Sequence, residues 1–207
     1  MSDTKGHCRH LHYPGMVFLL LWFPVTALSG DTTYEKDVNT GRESWSTTVN
    51  GVSLKLTQIL PDQVRGFYLA RGFPISAVEH INQTCVFQTI LRNQSAPSTI
   101  DYNLVNWRAT SSGGKIPLKL QAAWQEEWKQ QNISASARTA FQWALLPTVQ
   151  HYEIGDWNMG MLTIPLSHGS QFDLHFTWTV MEGNNLQRAI LQGVRCATDN
   201  PPAQTSK

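Results

Sequence analysis

The chain has 207 residues, of which 41% are hydrophobic, 10% aromatic and 15% charged. That is room for one ordinary domain, and a charged fraction below the roughly 25% of an average soluble domain excludes disorder driven by charge. Lys plus Arg number 16 against 15 Asp plus Glu, so no net field draws the chain to nucleic acid or to an acidic membrane.

At the N-terminus, Lys5 and Arg9 precede an uncharged run from Met16 to Leu28 that Pro24 interrupts. A membrane-crossing helix needs about 20 apolar residues, so this run is too short. Ala27-Leu28-Ser29 supplies a small-x-small cleavage pattern, and residues 1–29 are predicted to be a signal peptide that leaves Gly30 first in the mature chain. Removal takes away Lys5, Arg9 and Asp3 and leaves 14 charges of each sign. Cys8 goes with the leader. Cys85 and Cys196 remain, outside any CxxC pattern, and are predicted to form one disulfide closing a long loop. The protein is expected to be exported, to periplasm or extracellular space, with membrane contact only through the leader if it is not cleaved.

Residues 30–46 are polar and aperiodic and read as a flexible mature N-terminus; 200–207 read as a tail. Between them, 47–199 form a single predicted domain. Val52, Leu54 and Leu56 alternate with polar residues as a half-buried strand. Pro61 opens a helix carrying Val64, Phe67 and Tyr68, with Gly72 just past its end. A short helix follows over Ile75 to Ile81, then a buried strand over Cys85 to Arg92. Asn103 to Ala109 read as another strand, ending before the turn at Ser111 to Gly114. Two helical stripes come next: Leu120, Trp124 and Trp128, then Ala137, Ala140, Phe141, Ala144 and Leu145, stopped by Pro147. Ser134 or Ser136 is the expected cap of the second. Leu162 to Leu166 and Phe172 to Val180 both alternate and are predicted to pair as a hairpin about Gly169, before a last strand over Leu186 to Cys196. The fold class is α+β: an antiparallel sheet or a two-sheet sandwich with a helical insert.

No GxSxG, HExxH, glycine-rich phosphate loop or calcium-loop pattern occurs. Cys85 lies in an apolar run where a thiol is inert, and adjacent Glu126 and Glu127 diverge on a helix. The tryptophans of the mature chain read mainly as core, with an aromatic surface for sugars or peptides as the rival. Asn82, Asn93 and Asn132 begin sequons, which carry no meaning in a bacterial envelope. One cluster has a chemical edge. On the outer face of the predicted hairpin, Met159, Met161 and His175 are brought near one another, with His168 in the turn and Met181 at the strand end. Thioethers and imidazole suit Cu(I), and Asp173 stands ready to orient the histidine.

The leading functional reading is an exported soluble binding or accessory protein of a bacterial cell envelope, non-catalytic, with no cofactor and with an unknown protein or small ligand as partner. Copper handling through the Met/His cluster is the alternative. A hydrolase whose site is assembled in space is the third reading.

Overall fold

The computed structural model describes residues 30–199; the predicted leader and tail lie outside the described residues. Eleven strands and four α-helices make up this part. The strands form two antiparallel sheets, as the alternation of apolar and polar residues demands.

The first sheet has five strands in the order β1 (Thr33–Lys36), β2 (Glu43–Val49), β3 (Val52–Gln58), β4 (Cys85–Asn93) and β9 (Trp157–Ile164). The second has six: β5 (Ile100–Asn103), β6 (Arg108–Ser111), β7 (Gly114–Pro117), β8 (Val149–Tyr152), β10 (Gln171–Val180) and β11 (Asn185–Arg195). Its spine is β10, which pairs with β11 along its length and with β6 and β5 over shorter stretches. Val52, Leu54, Leu56, Phe87, Leu91 and Leu162 of the first sheet meet Phe172, Leu174, Phe176, Trp178 and Leu191 of the second in one buried core. The cysteines close this sandwich covalently. Cys85, the first residue of β4, is bonded to Cys196, just past β11, with Cα atoms 5.2 Å apart, as a disulfide requires.

The helices α1 (Pro61–Leu69), α2 (Ile75–Asn82), α3 (Gln121–Gln130) and α4 (Ala135–Ala144) form a third layer with its own core. Proline at the first position suits α1. Ser134 caps α4 by accepting from the Ala137 N–H, and Pro147 follows its end. Val64, Tyr68, Phe73, Trp124, Trp128 and Phe141 are buried there against Val86 and Met161 of the sheet.

Four expectations are corrected. Residues 30–46 are not a loose end: β1 pairs with β2 from Thr33↔Ser46 to Lys36↔Glu43. Asn103 to Ala109 do not form one strand. The Asn103 side chain accepts from the Val105 N–H, and a 3-10 turn over Leu104–Asn106 separates β5 from β6. The predicted hairpin does not form, because β9 pairs with β4 whereas β10 pairs with β11, β5 and β6. The connection over Ser167 to Ser170 carries the chain from one sheet to the other. The last correction follows from it and concerns the proposed metal cluster.

Candidate functional site

Parity places Met159 and Met161 on the outer face of the first sheet and His175 on the outer face of the second. The two faces are separated by the whole sandwich, about 10 Å between sheets, so these residues cannot share one ion. His175 is half-buried in register with Arg108 and Ile190. His168 lies in the β9–β10 connection, its Nε2 2.6 Å from the Asn82 carbonyl oxygen. Met181 follows β10 and is exposed. Asp173 accepts from the Gly193 N–H and so pins a bulge in β11, leaving His175 without it. Among the described residues, no three His, Cys, Asp or Glu are grouped to hold an ion.

Met159 and Met161 do meet in one place. The helical layer covers only one end of the first sheet's outer face, including Val86, Met161 and Thr163. Toward the other end Ile90, Arg92, Trp157 and Met159 are uncovered or partly so. A cleft of about 470 Å³ opens where the layer stops. Its floor is Gln88 with Met159 to Met161, and Ile59 and Phe67 wall one side. Trp143 and Ala144 wall the other, with Arg42 at the rim.

Local sequence explains the shape. Gly160 lets the end of α4 come down onto β9, where the Leu146 N–H donates to the Met161 carbonyl at 3.0 Å. A Cβ on Gly160 would stand 2.4 Å from the Leu146 nitrogen. The Arg71 guanidinium lies 3.3 Å from the centre of the Phe67 ring and braces that wall. Tyr68 donates its hydroxyl to the Met161 sulfur at 3.3 Å, and burial pushes its pKa up, which keeps the donor protonated. Gln88 donates to the Met159 sulfur at 2.9 Å and accepts from Arg42 Nη2 at 3.5 Å.

The tryptophans divide. Trp45, Trp107, Trp124, Trp128 and Trp178 are buried, but Trp143 is 83% and Trp157 49% exposed, and Met159 between them is 56% exposed. Two further clefts continue along the same sheet face, one sharing Arg42 and one bounded by Trp157 and Arg92. Sequence reasoning missed this grouping. Trp143 sits on α4 and Met159 on β9, and only the tertiary fold makes them neighbours of one cleft, with Trp157 at the start of β9 bordering the next.

A second polar cluster lies between α2 and α3. Glu127 accepts from Lys119 at 2.6 Å and lies 2.8 Å from His80 Nε2, with the Lys119 ammonium 3.5 Å from the centre of the Trp124 ring. Burial pushes the Glu127 carboxyl up, but hydrogen bonds to Lys119 and His80 outweigh it and hold the pKa below its ordinary value. Cys85, the one thiol near this end of the sheet, is spent in the disulfide.

Comparison with known proteins returns nothing similar: no protein-family model, no curated protein and no solved structure matches the chain.

Proposed function

We propose that this is an exported, non-catalytic binding protein of a bacterial cell envelope, and that it holds its ligand in the cleft where the helical layer ends on the five-stranded sheet. The observation that carries the reading is that Trp143 and Met159, both exposed, line one apolar cleft, with exposed Trp157 bordering the next cleft on the same sheet face. Single exposed apolar residues need no explanation; a cluster bordering a concave surface is the usual mark of a ligand site. The disulfide supports an oxidising compartment. The three sequons differ in whether they could carry a glycan. Asn82 and Asn93 are buried, and Asn93 uses its amide nitrogen to bond the carbonyls of Ser98 and Tyr152, so a glycan at those two could not be accommodated, whereas Asn132 is exposed in the turn between α3 and α4.

An anilinonaphthalene sulfonate titration of the folded protein tests the cleft. The dye should bind saturably and one to one, and Ala144→Trp, which fills the cleft, should abolish binding with the circular dichroism spectrum unchanged. Binding that never saturates, or that survives the filled cleft, refutes the site. Export is tested by N-terminal sequencing of envelope material: Gly30 is expected as the first residue, and an intact Met1 in the membrane fraction overturns it.

A further inference from the structure

The rim of the cleft carries a cation, Arg42, that forms no ion pair among the described residues; the Asp37 carboxylate of the adjoining cleft is near enough to feel its charge but does not contact it. Arg42 donates from Nε to the Gln58 carbonyl at 2.8 Å and from Nη2 to Gln88 Oε1 at 3.5 Å. Its Nη1 has no partner among the described residues. The neighbouring lysines differ: Lys55 is paired with Glu35 at 2.9 Å and Lys36 with Glu43 at 3.6 Å. Beyond Arg42 the walls turn apolar, with Ile59, Phe67, Trp143 and Ala144. Both thioethers of the floor already accept a hydrogen bond, Met161 from Tyr68 and Met159 from Gln88. The cleft therefore offers one anchored guanidinium at its rim and a largely saturated apolar interior.

We infer that the cleft takes a free alkyl monocarboxylate, with the chain laid against Phe67, Met161 and Ala144 under Trp143 and the carboxylate on Arg42. This rests on the binding reading above and names its ligand class. Guanidinium suits a carboxylate because its planar donors match the two oxygens. Here two bonds to Gln58 and Gln88 fix the plane beforehand, so less side-chain freedom is lost on binding. The volume, about 470 Å³, lies within the range of small-molecule sites, and a two-chain phospholipid is far larger. A neutral chain of the same length gains the apolar contact alone. A cationic one meets Arg42 as a like charge.

Calorimetric titration of the full protein with octanoate, 1-octanol and octyltrimethylammonium tests this. Octanoate should bind about tenfold tighter than octanol, the factor expected of one charge-assisted contact, and the ammonium compound should bind weakest. Arg42→Gln should erase the preference for octanoate and leave octanol unchanged. Lys115→Gln, on β7 of the other sheet, should keep the wild-type order. If Arg42→Gln fails to fold, the order of the three ligands on the unaltered protein decides. Equal affinity for octanoate and octanol overturns the inference, as does absent octanoate binding while the sulfonate dye still binds; either result leaves the cleft standing as a binding site. Loss of dye binding as well removes both.

Discussion

Single positions carry unequal weight in this fold, and Gly160 is one of the most constrained. An alanine there would drive its Cβ to within 2.4–2.7 Å of the Leu145–Leu146 backbone, which cannot rotate aside like a side chain. Gly160→Ala should cost about 1–3 kcal/mol or more, read as a lower urea midpoint. Gly113→Ala, whose nearest neighbour would be 3.8 Å away, should change little. Asn93 is equally committed. It is fully buried, donates to the Ser98 and Tyr152 carbonyls and accepts from the Ala96 N–H. Asn93→Asp turns its two-carbonyl donor into an acceptor and buries a charge, so a loss of about 3 kcal/mol or more is expected. Equal stability of the two proteins in urea would contradict the hydrogen-bonding pattern. Parity along β9 and β10 was readable from residue order: Met159, Met161 and His175 do point away from the sandwich core. Parity is local, however, and says nothing about which strand lies alongside.

At the scale of elements, that gap explains each departure from expectation. Two alternating strands joined by a short polar link look like a hairpin, yet the link is a crossing between sheets. Strand β9 is claimed by β4 and β10 by β11, partners far off in sequence for β9 and later in sequence for β10. Strand β1 was illegible for another reason. Its residues are all exposed, so an edge strand held by backbone pairing leaves no apolar signature. Helices were easier, since a proline start, a serine cap and a buried stripe are all local signals. Between elements, Arg65 of α1 ties down Glu79 of α2 at 2.8 Å and Asp199 of the C-terminal segment at 3.0 Å. The hydrogen bonds from Arg65 hold both carboxyls below their ordinary values of 4.5 and 3.8. A depressed carboxyl stabilises the fold fully above its unfolded pKa and loses that contribution as pH falls through the folded value. Melting temperature should therefore drop as pH falls from about 4.5 downward, and Arg65→Gln should flatten part of that drop. An unchanged acid slope in the variant would show that the ion cluster is thermodynamically silent, as many exposed pairs are.

On the scale of the molecule, two cores share one sheet. Adjacent residues of β4 and β9 point opposite ways: Phe87 and Leu162 enter the sandwich, while Val86 and Met161 enter the helical layer. Neither core can loosen without disturbing strands that the other needs. Trp128 is fully buried in the helical layer, and its indole N–H has no hydrogen-bond partner, so its contribution is packing. Trp128→Ala should cost about 3–5 kcal/mol and lower the unfolding midpoint by far-UV and near-UV circular dichroism together. Separate transitions would show the helices to be an independent unit.

The Cys85–Cys196 bond, 111 residues apart in sequence, also governs how the protein bears load. Tension applied between Gly30 and Asp199 runs along the chain to Cys85, crosses the sulfur bridge and leaves through Cys196. Strands β1 to β3 and helices α1 and α2 lie in that path and can be drawn out. Everything between the two cysteines, including β4 to β11 and the helices α3 and α4, is shunted out of the line of force. With the bond intact, pulling can lengthen the chain only through the segments outside it; reduction lets the rest extend as well.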